Sequence, residues 1–491
     1  MNRGFSLIEI LIAMAIATLT MAGVVIFLGG DQSMGSDSGI GIEALHKAQD
    51  VIEKASAQAR TDYAGVATTT VSDCSGGLCY AKSLALPSAY ATQCTQAAVG
   101  TVSWTGTQNR VLSVAATTTI VNIPEMIALG GTCGMSPPTA GWNPPTTYTC
   151  ARFNSGNPTA LDVLDKVAYM TGEAAPYLYI ADTNGALLNS SCNNANNVQF
   201  TVFTNGFNAG VELTDIRVAR ASDGKVYAFV AADSSTNQLR VYDVTTPTTP
   251  VLIVARTLAS VSGSFPEGFR IYYYDKKIYI LTRETAGNEF HVFDAATPWN
   301  AASIVEYGTG FAINRTVESF AVTKRAYSGS DHLYAYMATD GNSNELVVLD
   351  VTNPLAISEI TYVDQNLAGN DDGLSVFLLG NTLYLGRESA SGSELYAYDA
   401  STPWDGLNML GQSEIGTSVI GIAVSGPFAF LATTQASNEF KVWQSNPFNL
   451  ATINSNFNFP NSLVPNAVRY SDNWIYMAVQ GNDSLRILKG N

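Results

Sequence analysis

VYAFVAADSSTNQLRVYDVTTPTTP, beginning at Val226, decides the fold: an aromatic strand, a polar turn, a second strand, then a turn that starts with Asp and contains Pro. The same module returns as IYILTRETAGNEFHVFDAATPW from Ile278, LYAYMATDGNSNELVVLDVTNP from Leu333 and LYLGRESASGSELYAYDASTPW from Leu383. Weaker copies stand at YLYIADTNG from Tyr177, FAFLATTQASNEFKVWQSNP from Phe428 and IYMAVQGNDSLRILKG from Ile475. Before each aromatic strand runs another apolar stretch, such as DIRVAR at Asp215 or FRIYYYD at Phe269, which supplies an inner strand. Repeats of this length built from four short strands are the signature of β-propeller blades, and the copies predict seven.

The closing aspartates Asp243, Asp294, Asp350 and Asp399 read as structural. An Asp side chain accepts backbone N–H bonds in a turn, while Pro fixes φ and stops the strand. The last copy supplies only three strands, so the missing outer strand is expected from around Thr146 to Phe153, closing the circle and removing an exposed edge. The Asp, Thr and Pro spacing after a V-x-D strand resembles the LVIVD-type repeat of extracellular propellers. That pattern implies a fold and little about a ligand.

At the other end of the chain, FSLIEILIAMAIATLTMAGVVIFL (5–28) is an apolar run, long enough as a helix of about 36 Å to cross a bilayer. Arg3 precedes it, which places the N-terminus in the cytoplasm and the rest of the chain outside. Glu9 lies within the run, and a carboxylate there is costly unless it has a partner and a function. RGFSLIE followed by an apolar helix resembles the class III signal of type IV prepilins and pseudopilins. The resemblance implies cleavage by a prepilin peptidase between Gly4 and Phe5, N-methylation of Phe5, and pairing of the new ammonium with Glu9 of a neighbouring subunit. An uncleaved signal anchor or a secretory signal peptide is the alternative; neither needs Glu9.

Between these ends, GGDQSMGSDSGIG (29–41) reads as a Gly-rich break and IEALHKAQDVIEKASAQAR (42–60) as an amphipathic helix. Residues 61–158 form a pilin-like, cysteine-containing domain, with a domain boundary near 158 ahead of a propeller over 159–491. The overall expectation is a mainly β protein: leader 1–4, membrane helix 5–28, break and helix 29–60, a small disulfide-containing domain, then a seven-bladed propeller. Cys74, Cys79, Cys94, Cys133, Cys150 and Cys192 all follow the membrane segment, and an even count outside the cell predicts disulfides. Cys74 and Cys79, flanking Gly76-Gly77, are the first local pair; the other pairings stay open.

The formal net charge is −16: residues 1–160 hold 7 basic and 9 acidic side chains, and 161–491 hold 18 and 32. So acidic a surface repels phosphate backbones, which argues against nucleic acid as a partner. No cofactor, metal or catalytic constellation is legible. The cysteines lack CxxC spacing, and His46, His291 and His332 lack triad or cage neighbours. Asp340-Gly-Asn342-Ser-Asn344 has the oxygen spacing of a calcium loop without its Gly or closing acid. Asp371-Asp372-Gly373 reads as a solvated turn at the entry to the fifth inner strand. The expected function is a minor, tip-located pilin-like subunit, not an enzyme, presenting its propeller to a surface glycan or protein. Its other expected partners are further pilin subunits, through the N-terminal helix, and the cytoplasmic membrane before assembly. A pseudopilin of a type II secretion system meeting secreted cargo is the alternative, and an anchored propeller enzyme a third.

Overall fold

The computed structural model describes residues 34–61, 63, 66–75, 78–87, 92–106, 109–131, 133–134, 142, 146–151, 157–184, 201–202, 206–283, 285–341, 344–360, 367, 371–389, 392–444, 453–459, 463–481 and 484–490. The expected leader and membrane helix, with Gly4, Phe5 and Glu9, and also Cys192, lie outside these residues. The chain divides into two compact units, Met1–Glu125 and Met126–Asn491.

In the first unit a helix, α1 (Met34–Thr61), packs on an antiparallel sheet of β1 (Thr69–Ser75), β2 (Leu78–Ala85), β3 (Thr95–Thr105) and β4 (Val111–Val121), in that order. The helix buries a ridge of four alanines and one isoleucine, Ala44, Ala48, Ile52, Ala55 and Ala59, spaced three or four apart so that they share one face. They pack against Tyr80, Leu84, Ala98, Val102, Trp104 and Ile120 of the sheet. Gly100 permits the close approach: a Cβ there would stand 2.7 Å from the Ala48 carbonyl oxygen and 2.9 Å from Ile52.

The Gly-rich break expected over 29–41 is corrected from Met34 onward, where the chain is already helical. Ile40 packs against the cluster containing Ala44, Tyr80 and Trp104, and that burial outweighs the poor helix propensity of the flanking glycines. The Cys74–Cys79 disulfide is formed, joining directly paired residues of the β1–β2 hairpin. Cys94 and Cys133 are each disulfide-bonded as well.

Among its described residues the second unit holds seven antiparallel sheets. Their first strands are Pro158–Leu164, Leu213–Arg220, Gly268–Tyr274, Val317–Tyr327, Gly373–Leu379, Val419–Ser425 and Pro465–Ser471. Each first strand lies beside the first strand of the next sheet, and the seventh lies beside the first, so the sheets form a ring of propeller type. The second strands are nearly continuous apolar runs buried on both faces, as VYAFVAA at Val226–Ala232 shows. Thr146–Ala151, β5, completes the last sheet by pairing antiparallel with Leu485–Lys489, from Thr146 beside Lys489 to Ala151 beside Leu485. It is the strand expected from around Thr146. Because β5 and the segment before it pack with the ring, the units divide after Glu125, not near residue 158.

The third sheet has three strands; in place of a fourth, the backbone at Val305, Tyr307 and Phe311 bonds to Asp294, Val292 and Phe290. The turn aspartates act mechanically: one carboxylate oxygen of Asp243, Asp294, Asp350 and Asp399 accepts the N–H two residues on, at 2.8 to 3.0 Å. Sequence reasoning missed a second device. Gln238, Glu289, Glu345, Glu394 and Glu439, each just before the third strand, are buried. Their oxygens accept N–H groups of the loop that leads to the next sheet: Leu258, Ile313, Leu367, Ile415 and Phe459 respectively.

Candidate functional site: the axis and mouth of the ring

Every inner strand carries a β-bulge at its second residue: Thr159, Thr214, Phe269, Glu318, Leu374, Ile420 and Asn466. A bulge re-aims the side chains that follow it. Side chains at or shortly after the bulge bond across to the backbone of the next inner strand, while the backbone after the bulge stays paired within its own sheet. Asp162 accepts from Val218 N (2.7 Å), Asp215 from Ile271 N (2.9 Å) and Ser319 from Val376 N (3.3 Å). Thr214 donates to Gly268 O and Ser375 to Val419 O. These ties capture backbone groups on the free edges of the inner strands, which border the ring axis, and they show that the strands run in one direction.

Charge on this axis is confined to one side. Arg469 (seventh strand) donates Nε to Asp162 of the first at 3.4 Å, and Arg217 donates to Asp215 of its own strand at 3.5 Å. Arg217 and Arg469 each also donate to the carbonyl of the preceding residue, Ile216 and Val468. Arg270 of the third strand bonds the carbonyl and carboxylate of Glu318, and the Arg217 guanidinium lies 5.4 Å from the Tyr272 ring centre. Burial, and then the positive charge of Arg217, hold Arg469 below the usual arginine range. The matching positions on the fourth to sixth strands are small or apolar: Ser319, Ala321, Ser375, Phe377, Gly421 and Ala423.

Because the inner strands run in parallel, their N-terminal ends gather at one mouth. There, in all but the third sheet, the residue after the second strand bonds the residue before the inner strand, for example Asp233 N to Glu212 O, Asp340 N to Thr316 O and Glu388 N to Asp372 O. This placement sets carboxylates at the mouth in two arcs, Glu173, Glu212 and Asp233 in one and Asp340, Asp371, Asp372 and Glu388 in the other; Arg283 acts on Glu212, and the sixth and seventh sheets bring the uncharged Ser418, Thr434, Val464 and Gln480. Partial burial, then Asp233 and Glu173, push the Glu212 carboxyl up. Partial burial, then Glu388, Asp340 and Glu318, do the same to Asp372. Asp371, read from the sequence as part of a solvated turn, is instead buried and lies 3.7 Å from the buried Arg387, which also pairs with Glu345.

The opposite end is crossed by the chain itself. The Ala128 carbonyl accepts from Asp275 N and the Gly130 carbonyl from Arg220 N. Gly131 lies against Leu164 and Gly134 against Tyr470. The segment thus passes over the ends of the third, second, first and seventh inner strands in turn. Gly130 has to be glycine: its φ is +67° and a Cβ would meet that of Ala219 at 2.2 Å.

Of the other singled-out residues, His291 is buried between Glu306 and the Asn288 carbonyl, and His332 lies 3.5 Å from the carboxylate of Asp350. Both are packing residues, and His46 sits exposed on α1. Asp340 accepts from Thr316 N, which makes it part of the mouth; Asn342 lies outside the described residues. Among the described residues no group of His, Cys, Asp and Glu is arranged to hold a metal, and no helix is long and apolar enough to cross a membrane. Cys150 is buried on β5. The axial arginines were visible in DIRVAR, FRIYYYD and AVRYS, but only the bulge register shows that they share one side.

A prokaryotic N-terminal methylation motif matches residues 1–25, and an LVIVD repeat matches residues 333–365. No curated protein matches the chain. Among solved structures, a chain of the mitotic checkpoint complex is similar over 70% of this chain and 92% of its own length, at 12% identity and a TM-score of 0.49. YCF48 bound to D1 peptide is similar over 72% and 100%, at 9% identity and 0.43. Virginiamycin B lyase from Staphylococcus aureus, with quinupristin, is similar over 70% and 98%, at 13% identity and 0.35. Likenesses of this size carry no argument about this chain. The methylation motif implies prepilin processing, anchoring in a membrane and assembly with pilins. Joined to the ring, it makes the chain a pilin-like surface protein with a propeller-like head.

Proposed function

We propose that this protein is a minor pilin-like subunit, placed at a filament tip, whose closed seven-bladed propeller is a recognition head and not an enzyme. The carrying observation is the joining, in one chain, of an N-terminal methylation motif to a ring that accounts for most of the residues. Its bulk supports the tip. A compact unit spanning Met126–Asn491 has a radius of gyration of about 20 Å, hence a width of roughly 50 Å, whereas pilin helices pack side by side. One such head on every subunit would crowd its neighbours.

The two ends of the ring support the direction of recognition. One end is crossed by residues 128–134, so the carboxylate-bearing mouth is the end left for a partner among the described residues. In this reading the peptidase cuts after Gly4, Phe5 is methylated, and Glu9 pairs with the ammonium of a neighbour. Immunogold labelling with antibodies to the ring tests the placement. Gold at filament ends is expected, and deletion of residues 126–491 should spare filaments while reducing attachment. Gold along the whole shaft, or confined to a secretion apparatus in the cell envelope, would refute it.

A further inference from the structure

We propose that the axis of the ring binds a zwitterion of peptide type, with its carboxylate between Arg217 and Arg469 and its cationic end at the carboxylates of the mouth. The inference deepens the recognition reading by naming a ligand class for the head. Binding is measured on the protein itself, so it can fail or succeed independently of where the subunit sits.

The arginines carry the argument. A guanidinium has five N–H donors in a planar fork suited to a carboxylate. Among the described residues, Arg217 and Arg469 each spend donors on one backbone carbonyl and one carboxylate, the latter at 3.5 and 3.4 Å. Those contacts are long because the carboxylates are already engaged. Asp162 holds Val218 N, and Asp215 holds both Ile216 N and Ile271 N. The ring therefore brings two guanidiniums together without closing either in a bidentate pair, and each side chain keeps a solvent-facing part, 19% for Arg217 and 27% for Arg469.

The mouth sets the second requirement. Glu212 precedes Arg217 by five residues, ~16 Å of extended strand, shortened by the reach of both side chains. A purely anionic ligand meets the field of the mouth first and is repelled; a ligand with a trailing cation is drawn in. A short peptide whose C-terminal carboxylate leads and whose lysine trails satisfies both tiers.

The test is isothermal titration of the full-length protein in detergent with three probes: Lys-Gly-Gly, its C-terminal amide, and succinyl-Gly-Gly. Lys-Gly-Gly is expected to bind, with at least tenfold weaker binding of the amide, which lacks the carboxylate, and of the succinyl peptide, which lacks the cation. Arg217→Lys/Arg469→Lys, which keeps the charge and loses the fork, should weaken Lys-Gly-Gly tenfold. Glu212→Gln/Asp372→Asn should narrow the preference over the succinyl peptide. The probe comparison on the unaltered protein stands whether or not the variants fold. No binding of Lys-Gly-Gly at millimolar concentration, or equal binding of the acid and the amide, would overturn the proposal.

Discussion

Replacing Glu289 by Ala tests whether the buried carboxylates before the third strands hold the ring together. Glu289 is fully buried, and its carboxylate accepts three backbone N–H groups: Ile313 at 2.7 Å, Asn314 at 3.2 Å and Thr285 at 3.1 Å. Ile313 is itself buried, so its N–H is orphaned in Glu289→Ala at about 1–3 kcal/mol. Thr285 and Asn314 lie nearer solvent and recover water, which adds roughly 0.5 kcal/mol each. The expected loss is therefore about 2–4 kcal/mol. Glu289→Gln keeps one acceptor oxygen for Ile313 and should lose about 1 kcal/mol, the difference between a charge-assisted and a neutral bond. Urea unfolding of the full-length protein, followed by tryptophan fluorescence, measures the loss. Amide exchange over residues 311–314 localises it, and should quicken in the Ala variant. Losses equal within about 0.5 kcal/mol for Ala and Gln, or unchanged exchange at Ile313, would refute the reasoning.

Two glycines make a matched pair. Gly100→Val should cost about 1–3 kcal/mol by pushing α1 off the sheet, while Gly41→Ala, with nothing within 4 Å of the new Cβ, should stabilise the helix by about 0.5–1 kcal/mol; denaturant midpoints decide both. At the mouth, the raised Glu212 and Asp372 carboxyls mean that the folded ring holds their protons more tightly than the unfolded chain does. Stability from these groups therefore falls as pH rises through their raised range and returns as pH falls. Glu212→Gln and Asp372→Asn should raise the melting temperature at pH 7 and lose that advantage below about pH 4. An advantage equal at both values would contradict the crowding of charge at the mouth. Finally, alkylation of the unfolded, unreduced protein should add no label, because all six cysteines are expected to pair; a labelled Cys150 or Cys192 would break the disulfide framework.

Much of the ring was legible because its repeat is written in turn chemistry. Asp243, Asp294, Asp350 and Asp399 each recur before a small-residue turn, and each accepts the N–H two residues on. The closing strand was legible from an accounting of edges, since a last copy with three strands needs a fourth. The buried glutamates were not: Asn-Glu after a polar hairpin looks like solvated charge, and only the return of the next loop covers Glu289 or Glu439. The axis and the mouth were hidden for a related reason. Arg217 and Arg469 are far apart in sequence, and the parallel order of the inner strands alone sets them on either side of Asp162. The helical start at Met34 was hidden because glycine content outvoted a single apolar residue, Ile40, whose partners lie on the sheet.

The pairing of Ala151 with Leu485 sets a timetable for assembly. In the proposed reading the N-terminal helix stays in the membrane and the rest of the chain is delivered outward in sequence order, so β5 arrives outside and then waits while almost all of the ring is delivered before its partner strand appears. Closing contacts across most of a chain are slow to form, and a waiting edge is an invitation to pair with the wrong molecule. The waiting strand, TTYTCA, is short, but its uncharged β-forming residues without Pro or Gly are of the kind that pairs readily, so the interval is a hazard for this edge. Its cysteine adds a hazard of another kind, since Cys150 is exported ahead of Cys192 and behind Cys133 and can be oxidised with an earlier thiol before the ring exists to bury it. On that reading, correct closure of the ring calls for thiol–disulfide exchange outside the membrane to undo an early bond to Cys150.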